Sequence, residues 1–128
     1  VFHNLDGKQF AVWGGAFKPN TDDIREAPAI TIIEAILAKG GHVRLYDPAA
    51  MEQMKKVFGR RITYSKDMYA ACRQADALLV ITEWLQFREP DFTTLKRQLR
   101  KPYIFDGRNI YDGHRLKKMG FSYFGIGK

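Results

Sequence analysis

The chain has 128 residues, 45% of them hydrophobic and many aromatic (2 Trp, 6 Tyr and 9 Phe), enough apolar material for one buried core and enough length for one domain. That composition excludes a disordered or fibrous chain, and no apolar run approaches the roughly 20 residues that cross a bilayer. Lys and Arg number 21 against 14 Asp and Glu, a net charge of +7, so an acidic or phosphorylated partner is as compatible with the balance as a solvated Lys-rich surface.

In chain order, Asp6-Gly7-Lys8 reads as a turn feeding a buried strand, Gln9 to Trp13, which ends at Gly14-Gly15. A polar stretch follows up to Glu26. A helix is predicted from Pro28, with Ile30, Ile33 and Leu37 as its apolar stripe and Gly40-Gly41 as its stop. His42 to Tyr46 reads as a second strand closed by Asp47-Pro48, and this strand–helix–strand order implies a parallel pair with a right-handed crossover. The pattern then repeats: a helix over Ala49 to Phe58, a short strand over Ile62 to Tyr64, and a helix over Met68 to Ala75. Ala77 to Ile81 is a continuous apolar run, as expected of a strand covered on both faces. A helix over Asp91 to Leu99 with Pro90 at its start, a strand over Tyr103 to Phe105, a helix over His114 to Met119 and a strand over Ser122 to Phe124 complete the chain. The fold expected is α/β: an open, doubly wound, mainly parallel sheet of five or six strands with helices on both faces, Rossmann-like.

Ligands of such sheets bind where strands lead into helices at their carboxyl ends. Three loops there stand out. Gly14 to Ala27 is longer than an ordinary βα connection and carries Lys18, Asp22, Asp23, Arg25 and Glu26. Lys18 and Arg25 suit anionic groups, although the same acids could simply neutralise them. After the apolar strand, Thr82-Glu83-Trp84 offers an indole that more naturally packs on the sheet end than stacks on a ligand. Asp106-Gly107-Arg108-Asn109 presents Arg108 as an outward fork suited to phosphate, with an Asp106–Arg108 contact as the competing account.

Neither G-x-G-x-x-G nor a P-loop is present, so nothing points to a dinucleotide held by this domain alone. His3, His42 and His114 lack metal-ligand spacing, so no metal is expected. A lone cysteine, Cys72, allows neither an internal disulfide nor a Cys-based zinc cage, and in mid-helix it reads as a quiet thiol. With no secretory pattern after Val1, a reducing, cytoplasmic compartment is expected. From the residues alone this is an anion-binding α/β module with no catalytic group in view.

The segment Gly14 to Pro28, with its Phe17-Lys18-Pro-Asn-Thr-Asp-Asp wording, closely resembles the opening of the C-terminal domain of UDP-glucose 6-dehydrogenases. Tyr46-Asp47-Pro48, Thr82-Glu83-Trp84, Asp106-Gly-Arg-Asn109 and Gly120-Phe-Ser-Tyr123 with Ile126-Gly127 follow in that family's order and spacing. The resemblance covers essentially the whole chain. It implies a domain that covers the UDP-sugar in an NAD-dependent enzyme, which oxidises C6 of UDP-glucose twice, to UDP-glucuronate, through a cysteine-bound thioester. It also implies that NAD is bound mainly by an N-terminal domain, and that the catalytic cysteine lies in a Gly-Gly-x-Cys-x-Pro-Lys-Asp segment that is absent here. The chain alone is therefore expected to be inactive, with no catalytic residue of its own.

By the same resemblance Phe17, Lys18 and Arg108 are substrate-binding and Arg25 turns toward NAD. The expected partners are UDP-glucose, the enzyme's own N-terminal and central domains, and further copies in a homo-oligomer. The family usually has Leu after the first glycine of its motif, where this chain has Gly15. Related GDP-mannose or UDP-N-acetylmannosamine dehydrogenases share the fold, and a free-standing α/β interaction module is the reading from a different class. Nucleic-acid binding is not expected, although the part after Pro48 holds 16 basic and 8 acidic residues. Those bases are interleaved with acids, with no recognisable binding motif. A membrane is not an expected partner.

Overall fold

The computed structural model describes residues 4–16, 18, 20–25 and 27–125; Val1, His3, Phe17, Glu26, Ile126 and Gly127, named above, lie outside them. The first half of the chain runs β1 (Gln9–Trp13), α1 (Pro28–Ala38), β2 (His42–Tyr46), α2 (Met51–Phe58) and β3 (Thr63–Tyr64). The second runs α3 (Met68–Ala71), β4 (Ala77–Val80), α4 (Leu85–Arg88), α5 (Phe92–Gln98), β5 (Tyr103–Asp106), α6 (Gly113–Lys118) and β6 (Ser122–Gly125). The strands form one sheet in the order β3-β2-β1-β4-β5-β6. Every pairing is parallel. The winding reverses between β1 and β4, the switch point at which doubly wound sheets open a crevice.

Alternation along β1 divides the core. Phe10 and Val12 face α1 and α2, joining Ile33, Met54 and Phe58. Ala11 and Trp13 face the other way, into a cluster with Leu78, Phe87, Leu95, Ile104 and Leu116. All four of these β1 side chains are buried, which a central parallel strand requires. Trp13 lies stacked on Phe87, centroids 5.0 Å apart, so the four-residue α4 is pinned beneath the end of β1.

Several boundaries differ from the sequence expectation, each for a local reason. In α1 only Ile33 of the expected stripe is fully buried; its partners are Ala29 and Ile36, while Ile30 and Leu37 are half-buried. The small Ala29 lets the helix lie close to the sheet and sets its rotation. The helix expected to run to Ala75 stops at Ala71, with Cys72 as its C-cap. Gln74 there takes a left-handed φ of 57°, and its N–H donates to the Gln98 carbonyl instead. Pro90 precedes α5 rather than starting it: Asp91 is the cap, accepting the N–H groups of Thr93 and Thr94. One turn, α4, is too short to show any period in the sequence.

Because Ile33 is a large, fully buried side chain on the sheet-facing side of α1, Ile33→Ala is expected to lower the unfolding free energy by about 2–5 kcal/mol. Ile30→Ala is expected to cost less than half as much. Urea denaturation of the two variants checks the ranking.

Candidate functional site

The carboxyl ends of β1, β2, β4 and β5 meet at one edge, and a single carboxylate ties three of them together. Asp47 directly follows β2 and is 1% exposed. Its Oδ1 accepts the N–H groups of Ala49 and Ala50 at 2.8 and 2.7 Å, turning the chain into α2. Its Oδ2 accepts the N–H groups of Gly15 (2.8 Å) and Ala16 (3.2 Å) after β1, and Nε1 of Trp84 (3.2 Å) after β4. Five donors thus replace the water this carboxylate loses on burial. The indole of Trp84 packs into the core rather than standing free as a stacking platform.

Backbone contact between β1 and β4 closes around Gly14, whose φ is +106°. A Cβ there would lie 2.4 Å from Oγ1 of Thr82, so any side chain would force the strand ends apart. The Thr82 hydroxyl uses that proximity, donating to the Ala16 carbonyl at 2.8 Å. At Gly15, where the resembled family usually has Leu, the space is taken by Met54: a Cβ would lie 2.9 Å from its Cγ. The flexible thioether fills the gap from α2, so the turn is packed.

A second buried carboxylate organises the β5 loop. Asp106, 1% exposed, accepts the Arg108 N–H through Oδ1 (3.1 Å). Its Oδ2 accepts the Tyr111 N–H (2.9 Å) and the Tyr123 hydroxyl (2.8 Å). Burial, then the Asp106 carboxylate, raise the Tyr111 phenol, and burial with the Asp106 hydrogen bond raises that of Tyr123. Both stay protonated, Tyr123 donating to Asp106 and Tyr111 to the Phe87 carbonyl. Asn109 takes the left-handed turn at φ 56°.

Of the residues singled out from the sequence, Lys18 and Arg25 stand on the β1 loop and Arg108 on the β5 loop, two strands or about 10 Å away along the same edge. Lys18 is exposed. Arg25 does not stand alone: its Nε and Nη2 clamp Asp23 at 3.1 and 2.9 Å, with its side chain 88% exposed. Arg108 does not point freely outward. Asp106 holds its backbone, and the guanidinium donates through Nη2 to Glu83 at 3.0 Å. Glu83 also lies 3.6 Å from Arg88, so one acid sits between two arginines. Phe17 lies outside the described residues.

Reasoning from sequence missed Asp47 as the organiser, Glu83 as the partner of Arg108, and the Asp106–Tyr111–Tyr123 network. An Asp directly after a parallel strand was the available signal for the first. Cys72, at the end of α3 rather than in mid-helix, is buried, and burial pushes its thiol up; its Sγ lies 3.6 Å from the Met68 carbonyl. Among the described residues no group of three or more His, Cys, Asp or Glu could hold a metal, and no helix is long and apolar enough to cross a membrane.

The family model described as "UDP-glucose/GDP-mannose dehydrogenase family, UDP binding domain" matches residues 11–113. A UDP-glucose 6-dehydrogenase of Pseudomonas aeruginosa is 45% identical over 95% of this chain, and one of Bacillus subtilis is 38% identical over all of it. The chain spans about 28% of the length of either relative. Among solved structures, a UDP-glucose dehydrogenase of Pyrobaculum islandicum superposes with a TM-score of 0.79 at 32% identity, over 96% of this chain and 26% of the other.

Two outcomes check this geometry. Asp47→Ala strands five N–H donors and is expected to cost at least about 3 kcal/mol of stability, with loss of hydrogen-exchange protection at Gly15 and Ala16. Asp23 is held down at about 2 from the ordinary 3.8 by the Arg25 side-chain hydrogen bond, then by the Arg25 N–H. A lowered carboxylate favours the folded loop above its ordinary value, and that contribution fades as pH falls toward 2. Carboxyl NMR should therefore find Asp23 titrating near 2, and higher in Arg25→Ala but still below the ordinary 3.8, because the backbone N–H at position 25 remains.

Proposed function

Because the chain belongs to the UDP-glucose/GDP-mannose dehydrogenase family, through that family's UDP-binding domain, we propose that it is the substrate-covering part of an NAD-dependent UDP-glucose 6-dehydrogenase. The observation that carries this reading is the placement of Lys18 and Arg108 on two loops along one strand-end edge, flanking the switch point. The sugar nucleotide's diphosphate is a dianion with paired oxygens. Arg108 offers such a group a planar fork, pre-oriented by Glu83 and by the Asp106 turn. Lys18, exposed, supplies a point charge, and the role proposed for Phe17 rests on the family resemblance.

The diphosphate has to be met by side chains. In dinucleotide folds the backbone N–H groups after the first strand cradle a pyrophosphate. In this chain the Gly15 and Ala16 N–H groups already donate to Asp47, so a buried negative charge stands where that cradle would form. The β1 turn therefore does not fit the NAD pyrophosphate. NAD belongs to another domain of the enzyme, and the contribution proposed for this chain is Arg25, presented outward by its clamp on Asp23. The buried, raised thiol of Cys72 is unsuited to act as the nucleophile of a thioester route.

The sugar could differ: the Pyrococcus horikoshii neighbour, at 28% identity and a TM-score of 0.78, is a UDP-D-ManNAc dehydrogenase. The 45% identity to a UDP-glucose 6-dehydrogenase favours glucose. In the intact enzyme, Arg108→Ala and Lys18→Ala are each expected to raise KM for UDP-glucose about tenfold or more, the worth of one charge-assisted contact, with KM for NAD little changed. Unchanged KM for UDP-glucose in both variants overturns the site assignment.

A further inference from the structure

Charge is distributed unevenly between the two ends of the sheet. At the carboxyl edge arginines are matched by acids: Arg25 by Asp23, and Arg88 and Arg108 by Glu83. At the amino edge of β4, β5 and β6, six exposed cations stand together: Arg73 before β4, Arg97, Arg100 and Lys101 before β5, and Lys117 and Lys118 before β6. None of the six forms an ion pair among the described residues. From Phe92 to Phe105 and from Gly113 to Gly125 the sequence has no Asp or Glu. Asp76, just before β4, is 4% exposed and accepts the Gln9 N–H, and Asp91 caps the other end of α5.

Hydrogen bonds fix the three supporting segments side by side. The Gln74 N–H donates to the Gln98 carbonyl, the Arg100 N–H to the Ala75 carbonyl and the Ser122 N–H to the Pro102 carbonyl, each at 2.8 Å. Nζ of Lys96 ties α5 to the end of α6 through the Met119 carbonyl, at 2.9 Å. With neighbouring strands about 4.8 Å apart, the cations share a strip roughly 10 Å wide. A helix C-terminus favours cations in its last turn, which accounts for Arg97, Lys117 and Lys118. Arg73, Arg100 and Lys101 stand beyond the helix ends, in turns that uncharged polar residues would serve as well. Six like charges in one strip repel one another, and an anion laid across them relieves that repulsion.

We propose that this strip docks a carboxylate-rich polypeptide segment of a partner protein. Three of the six cations are Arg, whose planar fork matches a carboxylate. Arg97 also lines a cavity of about 270 Å³ with Thr94 and Gln98. A guanidinium beside a carboxamide suits a carboxylate next to a peptide group, a pairing that a polypeptide offers and a phosphodiester does not. The large apolar side chains that are exposed, Val57, Leu85 and Phe124, lie on α2, on α4 and within β6. The strip thus presents neither a ring on which bases would stack nor an apolar anchor for a bilayer. It lies at the edge opposite Lys18 and Arg108, so the inference does not depend on which sugar nucleotide the chain takes.

Amide NMR of the full 128-residue chain is the test, with an acetylated decapeptide of alternating Glu and Ser as ligand at about 50 mM salt. Shifts are expected at residues 73–75, 96–101 and 117–120, with Kd below about 1 mM, and none with the matching Gln and Ser peptide. Arg100→Glu with Lys101→Glu should raise Kd about tenfold or more. Lys56→Glu with Lys66→Glu, the same charge change at exposed positions on the β2 and β3 side, should raise it less than about threefold. Lys117→Gln with Lys118→Gln, which places no new charge on the fold, should weaken binding about threefold. Absence of shifts with the Glu and Ser peptide, or equal weakening by the two charge reversals, overturns the proposal. Tighter binding at the same amides by a short DNA duplex, or by vesicles of one part phosphatidylglycerol to two parts phosphatidylcholine, assigns the strip to nucleic acid or to a membrane and likewise overturns it.

Discussion

A single buried carboxylate, Asp47, is the constraint on which the strand-end edge depends. Its two oxygens hold the start of α2, the turn after β1 and the indole after β4. A carboxylate so deeply buried persists only when its donors are fixed beforehand, and here four donors are backbone N–H groups of two turns and the fifth is the buried Trp84 indole, none with much freedom to leave. The same bonds therefore do two things. They lock β1, β2 and β4 at the switch point, and they consume the backbone donors that a dinucleotide fold would keep for a phosphate.

That consumption shifts anion recognition outward, onto side chains. Gly14 lets β1 press against Thr82, and Met54 fills the space above Gly15, so the crevice floor is dense and closed. What stands above it are long cations whose positions are set by acids: Arg25 by Asp23, Arg108 by Glu83 and Asp106. An ion pair on an exposed surface contributes little to stability. Its use in the proposed site is orientation, since a guanidinium held at one edge keeps a defined direction for its remaining donors.

The two faces of the sheet are unequally covered among the described residues. Four elements, α3 to α6, crowd the Trp13 face, while α1 and α2 shelter the first three strands of the other. On that side Phe105 and Phe124 stack on each other at 4.9 Å, and Phe124 is 39% exposed.

Local sequence determined most of the elements. The short apolar run at Gln9–Trp13, the Pro28 start and Gly40 stop of α1, and the continuous apolar β4 are each dictated by neighbours a few residues away, and the strand–helix alternation then implied a parallel sheet. Lys18, Arg25 and Arg108 could be named because charged residues cluster just past strand ends, and the family resemblance attached roles to them. Tertiary structure decided what each touches. The five donors of Asp47 come from residues 31 to 37 positions away as well as from its own turn, and Glu83 finds Arg108 only because β4 and β5 pair in register. The rotation of α1 onto Ala29 and Ile36 and the early end of α3 at Cys72 follow likewise from packing between distant segments. A pattern read along the chain can show that a face is apolar; which body covers it is settled only when the other elements have taken their places.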